Sequence, residues 1–390
     1  GNVGIGRAAL TANTTASNNA AMGANALAAN TTGSENQAFG TYSLATNTTG
    51  SSNTAVGYNS LGANTTASDN TAVGFRALEA NTTGTNNTAV GKRAATDITT
   101  GDDNTAIGQE ALFTATTASD NTAVGFQALY SNSSGELNVA MGHNAMFNNT
   151  TAGHNTAVGN VSLTSNTTGA ENVAVGSQAL KSNTTASYNV AVGLNALYTT
   201  TTGAMNTAVG KSALQTNTDE ENVAIGYGAM LDNSSGGYNV AVGSEALANN
   251  TTADFNIAIG RNAMYTNTTG HSNTAVGGAS LDVNTTGVHN VAVGYDALGS
   301  NTTADYNTAV GAFAGDGITT GTHNVCMGYN SGSQTNILTT GGDNTFLGNY
   351  TSGSATGAGG QIAIVYNVQT VGDNQITVGR GSNTASLGLD

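Results

Sequence analysis

The sequence predicts an all-β protein, a parallel β-solenoid (β-roll) of about 21 coils, and three observations predict it. A 17-residue unit recurs along nearly the whole chain. The composition is that of a fibrous repeat: among 390 residues only 8% are charged, 53 are Gly, and Pro and Trp are absent. Within each unit, β-branched residues alternate with small ones over a short stretch, the period of a pleated strand.

The unit runs N-[TV]-A-[VIM]-G-x-x-[AS]-[LM]-x-x-N-T-T-[GA]-x-x. Its leading Asn falls at Asn2, Asn19, Asn36, Asn53, Asn70, Asn87, Asn104, Asn121, Asn138, Asn155, Asn172, Asn189 and Asn206, every step being 17. The series resumes one residue early at Asn222, continues in steps of 17 to Asn324, and takes a last step of 20 to Asn344. Such a unit is too short to bury a core of its own, so coils must stack on one another. Disorder is disfavoured because Val, Ile, Leu and Thr are frequent and evenly spaced. A helix is disfavoured by the density of Gly, Asn and Thr.

Each unit is expected to hold two strand-like pieces and a corner. In NTAVG the bulky positions are expected to fill the interior. With the Leu of the second piece, [AS]-[LM], they give a core stripe of Val56, Leu61, Val73, Leu78, Val90, Val124 and Leu129. Ala55, Ala72, Ala89 and Ala106 then lie on the opposite face, too small to need burial inside one chain. The Asn-Thr-Thr-Gly/Ala stretch makes the corner, where Asn and Gly tolerate left-handed backbone. Equivalent residues stack one coil apart, so Asn53, Asn70, Asn87, Asn121, Asn155 and Asn189 are expected to form a ladder of amide-to-amide hydrogen bonds. Asn64, Asn81, Asn166 and Asn183 at the corner are expected to form a second. A small-residue stripe admits a second backbone closely, which leads to the expectation of an intertwined homotrimer.

The repeat shaft is assigned to residues 1–344, and residues 345–390 to an atypical C-terminal β cap or the start of a distal domain. In that segment QIAIVYNVQ places Ile362, Ile364, Tyr366 and Val368 on one face, and residues 374–379 form a second strand. The chain opens in mid-repeat without Met, as expected of a piece of a longer protein.

The net charge is −15 and no basic stripe exists, so neither nucleic acid nor an anionic membrane is an expected partner. No apolar run is long enough to span a bilayer. The single Cys326 takes the place of the small strand Ala and reads as a buried structural residue. The five His (143, 154, 271, 289, 323) form no His-x-His pair, and Asp102-Asp103 and Asp219-Glu220-Glu221 are the only dense acidic groups. No catalytic residue, metal site or cofactor is therefore expected, and the chain is taken as non-enzymatic. Asn-x-Ser/Thr triplets at Asn13, Asn30, Asn47, Asn132, Asn233 and Asn250 read as corner residues rather than glycan acceptors. Tyr42, Tyr58, Phe75, Phe126, Tyr227 and Tyr295 follow the strand Gly. They are candidate sugar contacts that could equally pack across coils or between chains.

The NTAVGxxAL unit resembles the shorter repeat of trimeric autotransporter adhesin heads, which form left-handed parallel β-rolls. Long runs of NTAVGxxALxxNTTGxxN followed by NTFLGNYTSGS and NQITVGRGSNTASLG look more like bacteriophage tail fibres, and this likeness covers nearly all of residues 1–390. The resemblance implies a homotrimeric fibre shaft located extracellularly on a virion tail. Its partners would be other virion tail or fibre proteins, and a host surface glycan or protein met by a distal tip. A bacterial cell-surface adhesin is the alternative. An ice-binding solenoid is ranked below both, because the strand Thr is often replaced by Val, as at Val139, Val173, Val190 and Val223.

Overall fold

A computed structural model describes residues 1–334 and 337–388. The chain divides into two compact units, Gly1–Asn195 and Ala196–Asp390. Each is a parallel β-solenoid, and among the described residues there is no helix. The first holds strands β1 (Val3–Ile5) to β12 (Val190–Val192), one per coil. The second holds β13 (Thr207–Val209) to β24 (Asn383–Gly388). Pairing is parallel and in register at the repeat spacing: Thr54, Ala55 and Val56 face Thr71, Ala72 and Val73, and Val240, Ala241 and Val242 face Ile257, Ala258 and Ile259.

The strands from β1 to β21 are only three residues long, yet the ladder between coils runs further round each turn. The Asn59 N–H donates to the Thr41 carbonyl of one neighbouring coil, whereas the Leu61 and Ala63 N–H groups donate to Ser60-equivalent Ala77 and to Glu79 of the other. At the corner, Thr65 N–H and its Oγ1 both donate to the Thr82 carbonyl, at 3.2 and 3.1 Å. Side by side, such bonds satisfy backbone groups that a three-residue strand alone would leave exposed or buried without partners.

The expected second strand piece is not a strand. Asn59 and Leu61 have φ of 54° and 49°, and Asp69 at the corner has φ of 61°, all in the left-handed region. Left- and right-handed residues therefore alternate through the [AS]-[LM] stretch, which turns the chain while still presenting N–H groups to the adjacent coils. A left-handed Leu costs roughly 1–2 kcal/mol, and in the coils beyond the first its complete burial offsets that cost: Leu61, Leu78 and Leu129 are each 0% exposed.

The strand faces the opposite way to the expectation. Ala55, Ala72, Ala89 and Ala106 are fully buried, while Val56 and Val90 are each 37% exposed and Val73 and Val124 half-buried. The core stripe thus keeps Leu61, Leu78 and Leu129 and loses Val56, Val73, Val90 and Val124. The reason is space. The interior of a 17-residue coil already contains the Leu and two Asn side chains, Asn53 and Asn64 in this coil, and only a methyl group fits opposite them.

Both Asn columns are ladders, with different chemistry. In the leading column the Asn36 Oδ1 accepts the main-chain N–H of Asn53 at 3.0 Å, and Asn53 Oδ1 that of Asn70 at 3.1 Å. Asn36 Nδ2 donates to the Gly50 carbonyl at 2.8 Å, three residues before Asn53. This is an amide-to-backbone ladder, supplemented by amide-to-amide bonds such as Asn53 Nδ2 to Asn36 Oδ1 at 3.1 Å. In the corner column Asn64 Nδ2 donates to Asn47 Oδ1 at 2.8 Å, and Asn81 Nδ2 to Asn64 Oδ1 at 3.0 Å, the amide-to-amide arrangement expected. The two columns meet on one acceptor: Asn53 Nδ2 and Asn64 Nδ2 both donate to the Ala67 carbonyl, at 2.9 and 3.0 Å.

The phase errors are absorbed away from the leading column. In the 16-residue coil the corner is shortened. Asn217 Nδ2 reaches the carbonyl two residues on, at Asp219 (2.7 Å), rather than three, and Asn222 N–H still donates to Asn206 Oδ1 at 3.0 Å. In the 20-residue coil the extra residues lie between Gly332 and Leu338, a stretch that includes residues 335–336 outside the described set, and Asn344 N–H donates to Asn324 Oδ1 at 3.1 Å.

Stacking does not stop at residue 344. Strand β21 (Thr345–Leu347) pairs in parallel with β22 (Ile362–Tyr366), and β22 with β23 (Gln375–Arg380). Only then does β24 fold back antiparallel on β23. The atypical part is this closing hairpin, because Gln361 takes over the ladder position with its N–H on Asn344 Oδ1 at 3.0 Å. Ile362 and Ile364 point outward around the buried Ala363, and Val368, beyond a left-handed Asn367, points inward, so the four residues do not share a face. Phe346 occupies a strand position that is Ala in most coils, and it is fully buried. Gly332, standing where most coils have Leu, leaves room for it: a β-carbon there would lie 3.3 Å from the Phe346 ring.

The strand glycine is required by contact. Gly125 has φ of 133°, and a β-carbon on it would lie 2.4 Å from the Gly142 carbonyl oxygen of the next coil. Gly125→Ala is expected to destabilise its coils by roughly 1–3 kcal/mol. Hydrogen exchange read by mass spectrometry should show lost protection in the two adjoining turns, and unchanged protection there would contradict the contact. Asn64→Ala is expected to cost roughly 1–3 kcal/mol by leaving Asn47 Oδ1 unpaired in the interior, with the same measurement showing faster exchange centred on residues 47–81.

Candidate functional site

The leading-ladder residues Asn53, Asn70, Asn87, Asn121, Asn155 and Asn189 are buried, so their role is internal. The same holds for the Asn-x-Ser/Thr triplets beyond the first coil, whereas Asn13 is half-buried. Asn30, Asn47, Asn132, Asn233 and Asn250 are each 0% exposed. Their Nδ2 groups are engaged, as in Asn47 Nδ2 to Asn30 Oδ1 at 2.8 Å, and the folded chain does not offer them as acceptors. Cys326 is buried between coils, and burial pushes its thiol up to about 12, which keeps it protonated and a poor nucleophile. All five His are exposed, and His289, Tyr306 and His323 stack in succession with ring centroids 5.0 Å apart. At the acidic corner, Asp219 Oδ1 accepts the Glu220 N–H at 2.9 Å, and the Glu221 and Glu220 carboxylates push up the Tyr238 phenol. Among the described residues no three His, Cys, Asp or Glu side chains converge to hold a metal ion.

The aromatic candidates divide into two kinds. Tyr58 and Phe75 stack on each other at 5.6 Å, Phe126 stacks on His143 at 5.2 Å, and Tyr295 meets Phe313 edge-on at 5.4 Å. Tyr42 lies one position further round its coil than Tyr58 and meets it edge-on at 6.1 Å. Their spacing follows the coil repeat, so each ring has a face or edge occupied by an aromatic or imidazole ring of the next coil, the cross-coil packing that competes with sugar stacking. Tyr227 is different. The Lys211 ammonium sits 5.7 Å from its ring centroid, and the ring is 54% exposed.

Tyr227 borders a groove of about 360 Å³ within the second unit, together with Tyr265, Lys211, Asp232, Glu245 and Asn249. Its floor is Gly228, left-handed with φ of 60° at the position where the neighbouring coils carry Ser212 and Glu245. A β-carbon on Gly228 would meet nothing closer than Glu245 Cγ at 3.7 Å, so the missing side chain is what opens the groove. Sequence reasoning picked out Tyr227 but missed its companions. The available signal was this Gly in place of a polar side chain at a position that repetition had made regular.

The remaining exposed feature is the strand face. From the second coil on, the residues on either side of the buried central strand residue, Ala in most coils, point outward, as Thr122 and Val124 do around Ala123 in the first unit and Ile257 and Ile259 around Ala258 in the second. Neither position carries a charged residue in any of the repeat coils. The acids lie elsewhere on the coil, at the corner (Asp102, Asp103, Glu171) or beyond the strand Gly (Glu79, Glu110).

No family model, curated protein or solved structure matches the chain. Phe75→Ala is expected to remove the stack with Tyr58 and to cost about 0.5–1.5 kcal/mol beyond the lost buried area. A double-mutant cycle with Tyr58→Ala, followed by thermal unfolding, checks it: additive effects of the two substitutions would mean that the rings do not interact.

Proposed function

We propose that the protein is a non-enzymatic structural fibre shaft that assembles from three copies of this chain, of the kind found in bacteriophage tail fibres. The observation that carries this reading is the uncharged outward strand face. A column of Thr, Val and Ile, repeating at every coil, is left in water by a single chain. A surface that repeats every 4.8 Å or so is matched in register only by a partner of the same period, and a second copy has that period by construction. Charge supports the same choice of face. With a net charge of −15 carried on the other sides of the coil, copies repel one another everywhere except along this column. Three chains turning the column to a common axis is the arrangement that the resemblance to trimeric fibres favours. Attachment through a distal tip and a place on the virion follow from that resemblance.

Outward Thr beside outward Val on a regular face is also what an ice-binding solenoid presents. The replacement of Thr by Val at Val139, Val173, Val190 and Val223 weighs against it, and absence of thermal hysteresis would discard it.

Sedimentation equilibrium of the purified chain at micromolar concentration is expected to give three times the chain mass. Val124→Glu combined with Val175→Glu is expected to shift it to one chain mass while the β-rich circular dichroism is retained, because both side chains point out of the fold. A wild-type chain that sediments as a monomer would sink the assembly, and a two-chain mass would replace the axial arrangement by a face-to-face pair.

A further inference from the structure

We infer that the groove of the second unit is a binding subsite for a hexopyranose sugar, neutral or N-acetylated. This site is separate from the strand face on which assembly rests. The groove measures about 360 Å³, within the roughly 300–1,000 Å³ range of small-ligand sites. Tyr227 stands beside the Gly228 floor and Tyr265 at one end, in coils two steps apart, which is roughly 10 Å along the stack at the usual strand spacing, and Lys211, Ser212 and Gln215 of the coil before Tyr227 form the other end.

Ring availability separates these two tyrosines from the rest of the aromatic set. Tyr58, Phe75, Phe126 and Tyr295 are paired with a ring of a neighbouring coil. Tyr227 has Ser244 at the equivalent position on its far side, and Tyr265 has Ala248, both too small to cover a ring. Neither tyrosine is therefore covered by a ring from the coil that lies between them. The C–H face of a pyranose chair packs on such a ring, and its equatorial hydroxyls need acceptors and donors at the edge. Asp232 and Glu245 supply carboxylate acceptors, and Lys211 and Asn249 supply donors, all on the lining of the same groove. The mixed lining carries one positive and two negative groups, which suits a polyhydroxyl ligand better than an anionic one.

Gly228 makes the feature local. Other coils place Asn59, Gln127, Asn144, Gln178 or Asn262 at this position, all in the same left-handed conformation. A side chain there is therefore compatible with the fold, and its omission in this one coil creates the space.

Saturation-transfer difference NMR tests the site, using the full chain with glucose, galactose, mannose and N-acetylglucosamine as separate probes. At least one sugar is expected to receive saturation, strongest at its ring C–H protons. Gly228→Asn restores the side chain common at this position, so it folds as the other coils do. It is expected to reduce the transfer at least tenfold, as are Tyr227→Ala and Tyr265→Ala. Tyr306→Ala, an exposed ring outside the groove, is expected to leave it unchanged. No transfer to any of the four sugars overturns the proposal, and so does transfer that survives Gly228→Asn. Because none of these substitutions touches the strand face, sedimentation of the same variants separates a failure of this site from a failure of assembly.

Discussion

A single hydrogen bond, from the main-chain N–H of each leading Asn to the Oδ1 of the Asn one coil before it, sets the geometry of everything else. It fixes the distance and register of successive turns at the residue just before the strand, so that the strand Ala residues superimpose and the three-residue ladders close. Its Nδ2 then ties the following corner through the carbonyl that also receives the corner Asn. When the repeat shortens to 16 or lengthens to 20 residues, this bond persists at 3.0 and 3.1 Å, and the irregularity is displaced into the corner or the Gly332–Leu338 stretch. Where the corner column is interrupted, the cost is visible: Ile98 follows Asn81, and Asn81 Oδ1 is buried without a partner. The leading column shows no such interruption in either unit.

An interior built this way is half polar. Asn side chains take up cross-section that a wider solenoid would give to Leu or Val, and they are tolerated in the dark interior only because nearly every amide group is paired. The consequence is that the bulky strand residues are displaced outward. The uncharged face on which assembly is proposed is thus a by-product of the ladder: once Asn and Leu occupy the inside, Ala is the only strand residue that fits inward, and Thr, Val and Ile have nowhere else to go.

The repeat, the parallel register, the corner and both Asn columns were legible in the sequence because identical residues at a fixed spacing must coincide when coils stack. The direction of the strand was not. Alternation of Thr-Ala-Val says that Ala opposes Thr and Val, but it does not say which side is inside. The usual rule that bulk is buried fails for Val56 and Val90 because the interior was already full. The left-handed Leu was equally hidden, since Leu61 or Leu78 at φ near 49° contradicts the local preference of the residue and is held there by the coils on either side. At the aromatic candidates, the sequence located Tyr58, Phe75, Phe126, Tyr227 and Tyr295. It could not tell stacked rings from open ones, because that depends on the size of the residue 17 positions away. The groove lining came from positions that look unremarkable singly and matter only when four coils are read side by side.

The donor and acceptor pattern on the two sides of a coil has one more consequence. Every complete turn offers the same set of groups upward that it receives from below, so removing or duplicating a whole unit rejoins chemically matched surfaces, whereas a frame error of a few residues must be hidden in a bend. The chain can therefore lose or gain an entire layer while the closing hairpin and the width of the coil stay fixed.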